Sequence, residues 1–141
     1  MMPRFAFALL LITPAGCVTA APDPDGSVTL QVRLNETARL SGLEVTLVSV
    51  TEDSRCPSGV QCIQAGTVRL AARVSDRAGG RTLALTLGVP IRLQGGWTSL
   101  VQACPYPVHG SPIRPGDYRF TLMLTTAESP PLVDAGGCAP S

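Results

Sequence analysis

Between Ser27 and Leu34 the chain alternates without a break. Val28, Leu30, Val32 and Leu34 fall on one face, and Thr29, Gln31 and Arg33 on the other. A period of two puts successive side chains on opposite faces of an extended strand, so this stretch reads as a half-buried β-strand. The pattern returns at Thr67–Ser75, with Val68, Leu70, Ala72 and Val74 inward and Arg69 and Arg73 outward. It returns again at Leu83, Leu85 and Leu87, at Trp97–Cys104, and at Asp117–Thr126 through Tyr118, Phe120, Leu122 and Leu124. Thr37–Leu40 is a short extended piece, turned by Ser41-Gly42, and Ile91–Gly96 is another short piece, ended by the Gly95-Gly96 turn. Leu43–Thr51 is a strong strand whose phase slips after Leu47, from Leu43, Val45 and Leu47 to Val48 and Val50. A bulge near Leu47, or burial on both faces, accounts for the slip. No window carries a 3.6-residue apolar stripe.

Turn chemistry punctuates these runs. Asp76–Gly80 (DRAGG) predicts a hairpin, Gly88-Val89-Pro90 breaks the returning strand, and Pro105–Gly116 (PYPVHGSPIRPG) is too broken for regular structure. Six to eight short strands with such spacing predict an all-β, immunoglobulin-like β-sandwich, with a small β-barrel as the alternative. Past the leader the aromatics are Trp97, Tyr106, Tyr118 and Phe120, so the core must be aliphatic. Tyr118 is expected to bury its ring and tie its hydroxyl to backbone in the manner of a tyrosine corner.

Met1–Arg4 carries one positive charge and Phe5–Ile12 (FAFALLLI) is apolar, too short to span a bilayer. Small residues follow, the order of a secretory signal peptide over residues 1–16. Ala15-Gly16-Cys17 resembles the bacterial lipobox, with Pro14 where that pattern prefers Leu. The resemblance implies a lipidated Cys17, a linker over 17–26, and a domain over 27–141 ending in a Gly/Pro-rich tail. It places the protein in the bacterial cell envelope, and Val18 leans towards the periplasmic side of the outer membrane. Cleavage after Ala20 or Ala21, giving a soluble secreted or periplasmic protein, is the rival reading.

With Cys17 lipidated or removed, five cysteines become four: Cys56, Cys62, Cys104 and Cys138. An even count outside the reducing cytosol reads as disulfides, with three connectivities open. Pro57–Gln61 can fold back tightly, which favours Cys56–Cys62 and leaves Cys104–Cys138 to tie down the tail. By loop entropy the first ring contributes roughly 2 kcal/mol and the second roughly 4 kcal/mol. The spacing is not that of a zinc knuckle, and with one histidine no metal or other cofactor is expected.

Every basic residue is arginine. Losing Arg4 leaves ten against ten acids, dispersed along the chain, without the positive patch that nucleic acid or an anionic membrane surface needs. His109 sits alone in a Pro/Gly loop, no serine stands in a G-x-S-x-G elbow, and Asp117 serves a turn. No catalytic residue is therefore expected.

Glu52–Gly66 (EDSRCPSGVQCIQAG) resembles the signature E-D-S-R-C-P-x-x-V-x-C-x-W-A-G of a family of small uncharacterised bacterial secreted proteins and lipoproteins. Pro105-Tyr106-Pro107 resembles the family's second element. Gln64 replaces the family's Trp. The family implies location and fold, and no activity.

The candidate binding residues are Asp53, Ser54 and Arg55 ahead of the cysteine ring, with Trp97 and Tyr106 as an aromatic patch. A rigid loop of this kind suits recognition because its ordering cost is already met. The bland alternative is that Arg55 pairs with Glu52 or Asp53 and that Ser54 caps the turn. The expected function is a non-catalytic interaction module, contacting an envelope protein or small ligand through the Cys56–Cys62 loop and the Pro-rich connection. The alternative is a protease inhibitor with Arg55 as bait.

Overall fold

In the computed structural model, residue 23 and residues 25–138 are described. The signal peptide over 1–16, the lipidated Cys17 and most of the linker lie outside them.

Eight strands form: β1 (Ser27–Val32), β2 (Thr37–Leu40), β3 (Leu43–Asp53), β4 (Val68–Asp76), β5 (Gly79–Thr86), β6 (Ile91–Leu93), β7 (Gly96–Cys104) and β8 (Arg119–Thr125). They make two four-stranded antiparallel sheets, ordered β1-β8-β7-β6 and β2-β3-β4-β5. The two sheets stay separate, so the all-β sandwich reading holds and the closed-barrel alternative is set aside.

The alternating residues face each other across the sandwich. Val45, Leu47, Val68, Leu70, Val74, Leu85, Leu100, Phe120, Leu122 and Leu124 are each sealed from solvent. Burying side chains of this size contributes about 1.5–3 kcal/mol apiece before the entropy of ordering is charged. The core is aliphatic apart from Phe120 and Tyr118, whose rings stack with centroids 5.3 Å apart.

Strand limits differ from the pattern where turns intervene. Asn35 takes φ 66°, a left-handed value that ends β1 at Val32 rather than Leu34. Pro115–Asp117 forms a 3-10 turn, so the last strand starts at Arg119 and Asp117 sits in the turn expected of it. The phase slip in β3 is a register shift between Leu47 and Ser49, with a second between Val50 and Glu52. The bulge is thus where the sequence placed it, and it turns Val48 towards solvent.

Both disulfides follow the favoured pairing. Cys56 and Cys62 have Cα atoms 5.8 Å apart, and Cys104 and Cys138 5.6 Å, within the range a disulfide bridges.

Asp76 fastens the hairpin end. Its carboxylate accepts from Ala78 N at 2.9 Å, from Gln94 N at 2.9 Å, and from Arg81 Nη1 at 3.0 Å and Nη2 at 2.9 Å. One side chain thereby joins the β4–β5 turn to the β6–β7 turn. These bonds, led by Arg81 and then Gln94 N–H, hold the carboxyl at about 2.

The two ends of the sandwich are distinct. At one end Ser27 pairs with Thr125, which pairs in turn with Trp97. At the other, β7 ends at Cys104 opposite Arg119, next to the end of β3 at Asp53. Past β8 the tail runs back over β7 without strand pairing. Glu128 O accepts from Arg92 Nη1 at 2.7 Å and from Trp97 Nε1 at 3.4 Å, and Gly137 O accepts from the Gln102 amide.

Candidate functional site

The site lies where β3, β7 and the Pro-rich connection meet, and it is assembled around one arginine. After β3 the chain turns through Ser54, whose N–H donates to Thr67 O at 2.8 Å and whose hydroxyl accepts from Thr67 N at 3.0 Å. The same hydroxyl donates to Glu52 Oε1 at 3.0 Å. Ser54 is therefore a turn cap, and Glu52 pairs with Arg69 at 3.3 Å. Gly66 runs so close to Ser54 that a Cβ there would overlap the Ser54 carbonyl, which is the physical reason for glycine at the end of the motif.

This turn points Arg55 into the protein. Its side chain is 7% exposed and that of Asp53 12%. Arg55 Nε donates to Asp53 Oδ1 at 2.9 Å and Nη2 to Oδ2 at 2.7 Å, a two-bond fork on the carboxylate. Nη1 donates to Ala103 O, and Nη2 also to Pro105 O at 3.1 Å, so the guanidinium grips the backbone on both sides of Cys104. Its carbon lies 5.6 Å from the centroid of the Tyr106 ring. Arg55 thus joins the EDSRCP stretch to the Pro-Tyr-Pro stretch.

Tyr118 completes the cluster, donating to Asp53 Oδ2 at 2.8 Å. Its hydroxyl therefore meets a carboxylate and not backbone, which corrects the tyrosine-corner expectation. Burial, followed by the hydrogen bond to Asp53, pushes this phenol up to about 12. Burial also pushes Asp53 upward, but hydrogen bonds from Arg55 and Tyr118 and the Arg55 charge outweigh it and hold the carboxyl below the usual range.

Above the cluster is a groove of about 500 Å³ lined by Asp53, Pro57, Pro107–Ile113 and Tyr118. The cysteine ring sets its shape. Ser58 N donates to Pro107 O at 2.9 Å and His109 N to Ser58 O at 3.3 Å, a short parallel bridge between the ring and the Pro-rich connection. Val108 on the groove wall is 53% exposed, and Ile63 beside the ring is fully exposed. Neither Cys56–Val68 nor Pro105–Ile113 contains an acid or an arginine; Pro57, Val108, Pro112 and Ile113 give the groove apolar walls, and His109 and Ser111 add polar side chains.

The expected contact residues divide. Asp53 lines the groove, Tyr106 is half-exposed beside Arg55 and outside the groove lining, and Ser54 belongs to the turn. Arg55 is structural, and as a buried side chain it is not a bait loop. Trp97 stands at the opposite end of β7, under Arg92 at 5.1 Å, and forms no patch with Tyr106. His109 lines the groove, and Asp53, the carboxylate there, has both oxygens bonded. The wall residues Val108, Pro112 and Ile113 were not singled out from sequence. They lie in the Pro-rich connection expected to share the contact surface with the cysteine loop, and only the fold shows which of its side chains form the wall.

Comparison with family models, with curated proteins and with solved structures gave no match.

Proposed function

We propose that the chain is a lipid-tethered, non-catalytic recognition domain of the bacterial cell envelope, related to the small secreted proteins and lipoproteins its motif resembles. It holds a protein segment or small ligand in the groove between the cysteine ring and the Pro-rich connection. The observation that carries this reading is the groove itself, with apolar walls from Pro57, Val108, Pro112 and Ile113, a few polar side chains, and a disulfide and a backbone bridge bracing it. A pre-formed site loses little entropy on binding, and apolar walls with few polar groups are the usual composition of a ligand site.

Its position suits a tether. The chain enters the sandwich at Ser27, and the groove is at the far end, beyond nine-residue β7. A strand of that length spans roughly 30 Å, which separates the groove from the point where the chain enters the sandwich. The saturated Asp53 has no free oxygen to act as a base, which favours binding over catalysis. With Arg55 inside the domain, an inhibitor would have to present the Cys56–Cys62 ring without that arginine as bait.

The test is capture from envelope extracts with the wild type beside Val108→Asp, which charges the groove wall, and Val89→Asp, an exposed control elsewhere. Partners should be lost with Val108→Asp and kept with Val89→Asp. Equal recovery by all three baits would refute the groove.

A further inference from the structure

We propose that residues 126–138 form a releasable strap latched by the Cys104–Cys138 disulfide, and that a dithiol oxidoreductase opens it without unfolding the domain. The strap makes no strand pairing, and its middle residue Leu132 projects fully into solvent. Its polar hold on the sheet is at the two ends, through Glu128 O and Gly137 O. Ala135 lies against Gly88, where an added Cβ would come 3.5 Å from its own.

On the outer face of the β7–β8 pair, between the two points where the tail is held, Ser99 pairs with Met123, while its neighbours Thr98 and Leu100 pair with core residues Leu124 and Leu122. Ser99 is 0% exposed, and its hydroxyl, like that of core-facing Thr98, has no partner among the described residues. A buried hydroxyl without a hydrogen bond costs free energy that water returns when a face opens. Beside the few hydrogen bonds accepted by Glu128 O and Gly137 O, the disulfide is the covalent part of the latch.

The latch can open because β7 does not depend on it. Arg55 grips the carbonyls of Ala103 and Pro105 on either side of Cys104, and Cys104 pairs with Arg119. Both Cys104 and Cys138 are half-buried, neither sealed from solvent. Cys56–Cys62, by contrast, closes a ring inside one loop, and breaking it frees no segment.

The exchange balances as follows. A thiolate of the dithiol attacks Sγ of Cys138, the disulfide bond breaks, and Cys104 leaves as a thiolate that takes up a proton. The second thiol of the partner then attacks the mixed disulfide and releases Cys138. Two electrons and two protons pass to the protein, and the partner departs as its own disulfide.

Graded dithiothreitol applied to the folded protein in a Cys56→Ser/Cys62→Ser background tests this, read by thiol mass-tagging, Trp97 fluorescence and far-UV circular dichroism. Expected is tagging of Cys104 and Cys138 with a red shift and stronger acrylamide quenching of Trp97, the chain's one tryptophan, as Glu128 O leaves its indole, while the β-sheet spectrum is kept. The Cys104→Ser/Cys138→Ser pair in otherwise native protein should show the same open tail without reductant. An unchanged Trp97 signal after tagging overturns the proposal. So does loss of the sheet spectrum together with the bond.

Discussion

Replacing Arg55 by alanine should be among the most damaging single changes in this domain. The substitution strands the Asp53 carboxylate, 12% exposed, with the Tyr118 hydroxyl and the residue 55 amide as its remaining donors. It also takes the side-chain donors from the carbonyls of Ala103 and Pro105. Removing one partner of a buried ion pair costs about 3–5 kcal/mol. Because Asp53 lines an open groove that admits water, the lower part of that range applies, about 3 kcal/mol. Against a typical total of about 5–15 kcal/mol, that is a large share. For a domain of this size it lowers Tm by about 10–20 °C. Urea unfolding followed by circular dichroism, with exposed Arg73→Ala as a control expected within about 0.5 kcal/mol, measures it. The Asp53→Ala/Arg55→Ala pair should lose less than the two single changes summed, since neither then leaves a stranded charge. An Arg55→Ala protein within about 1 kcal/mol of wild type would refute the hub.

Three further outcomes follow from the same geometry. Tyr118→Phe removes one donor to Asp53 and should cost about 1–2 kcal/mol by urea unfolding; since folding raises this phenol from 10.0 to about 12, its share of stability is present below pH 10 and is lost as pH rises towards 12. Asp76, held at about 2 against 3.8, contributes stability present above pH 3.8 and lost as pH falls through about 2, so Asp76→Asn should unfold earlier at pH 7 and flatten that acid limb in pH-dependent melts. Gly66→Ala drives a Cβ into the Ser54 carbonyl and should cost about 1–3 kcal/mol, read as a fall in the urea midpoint, whereas Gly59→Ala in open space carries only the strain of its positive φ.

Much of the fold was legible because period-two alternation is a local property. Leu70, Leu122 and their neighbours announce a buried face whichever strand they pair with, and the slip after Leu47 marked an irregularity, a bulge or two-sided burial, that the register resolves as a bulge. The short spacing of Cys56 and Cys62 likewise favoured its own bridge. Arg55 shows the limit. In the sequence it is a charged residue beside a turn, and charged residues at turns are usually solvated. Nothing local says that two carbonyls of the β7 end will be waiting for it, because they come from residues 103 and 105. The same holds for Tyr118, whose acceptor lies 65 residues earlier, and for Trp97 and Tyr106, near in sequence but at opposite ends of a strand.

By itself the order of residues determined the strands, their bulge, the turns and the aliphatic core, since each depends on side chains a few positions apart. Tertiary structure alone decided that Arg55 joins the Glu52–Gly66 stretch to Pro105-Tyr106-Pro107 from the inside, as a buried side chain rather than a surface charge. A guanidinium can be buried only where a carboxylate and free carbonyls converge on it, and that convergence exists only after the two sheets have packed.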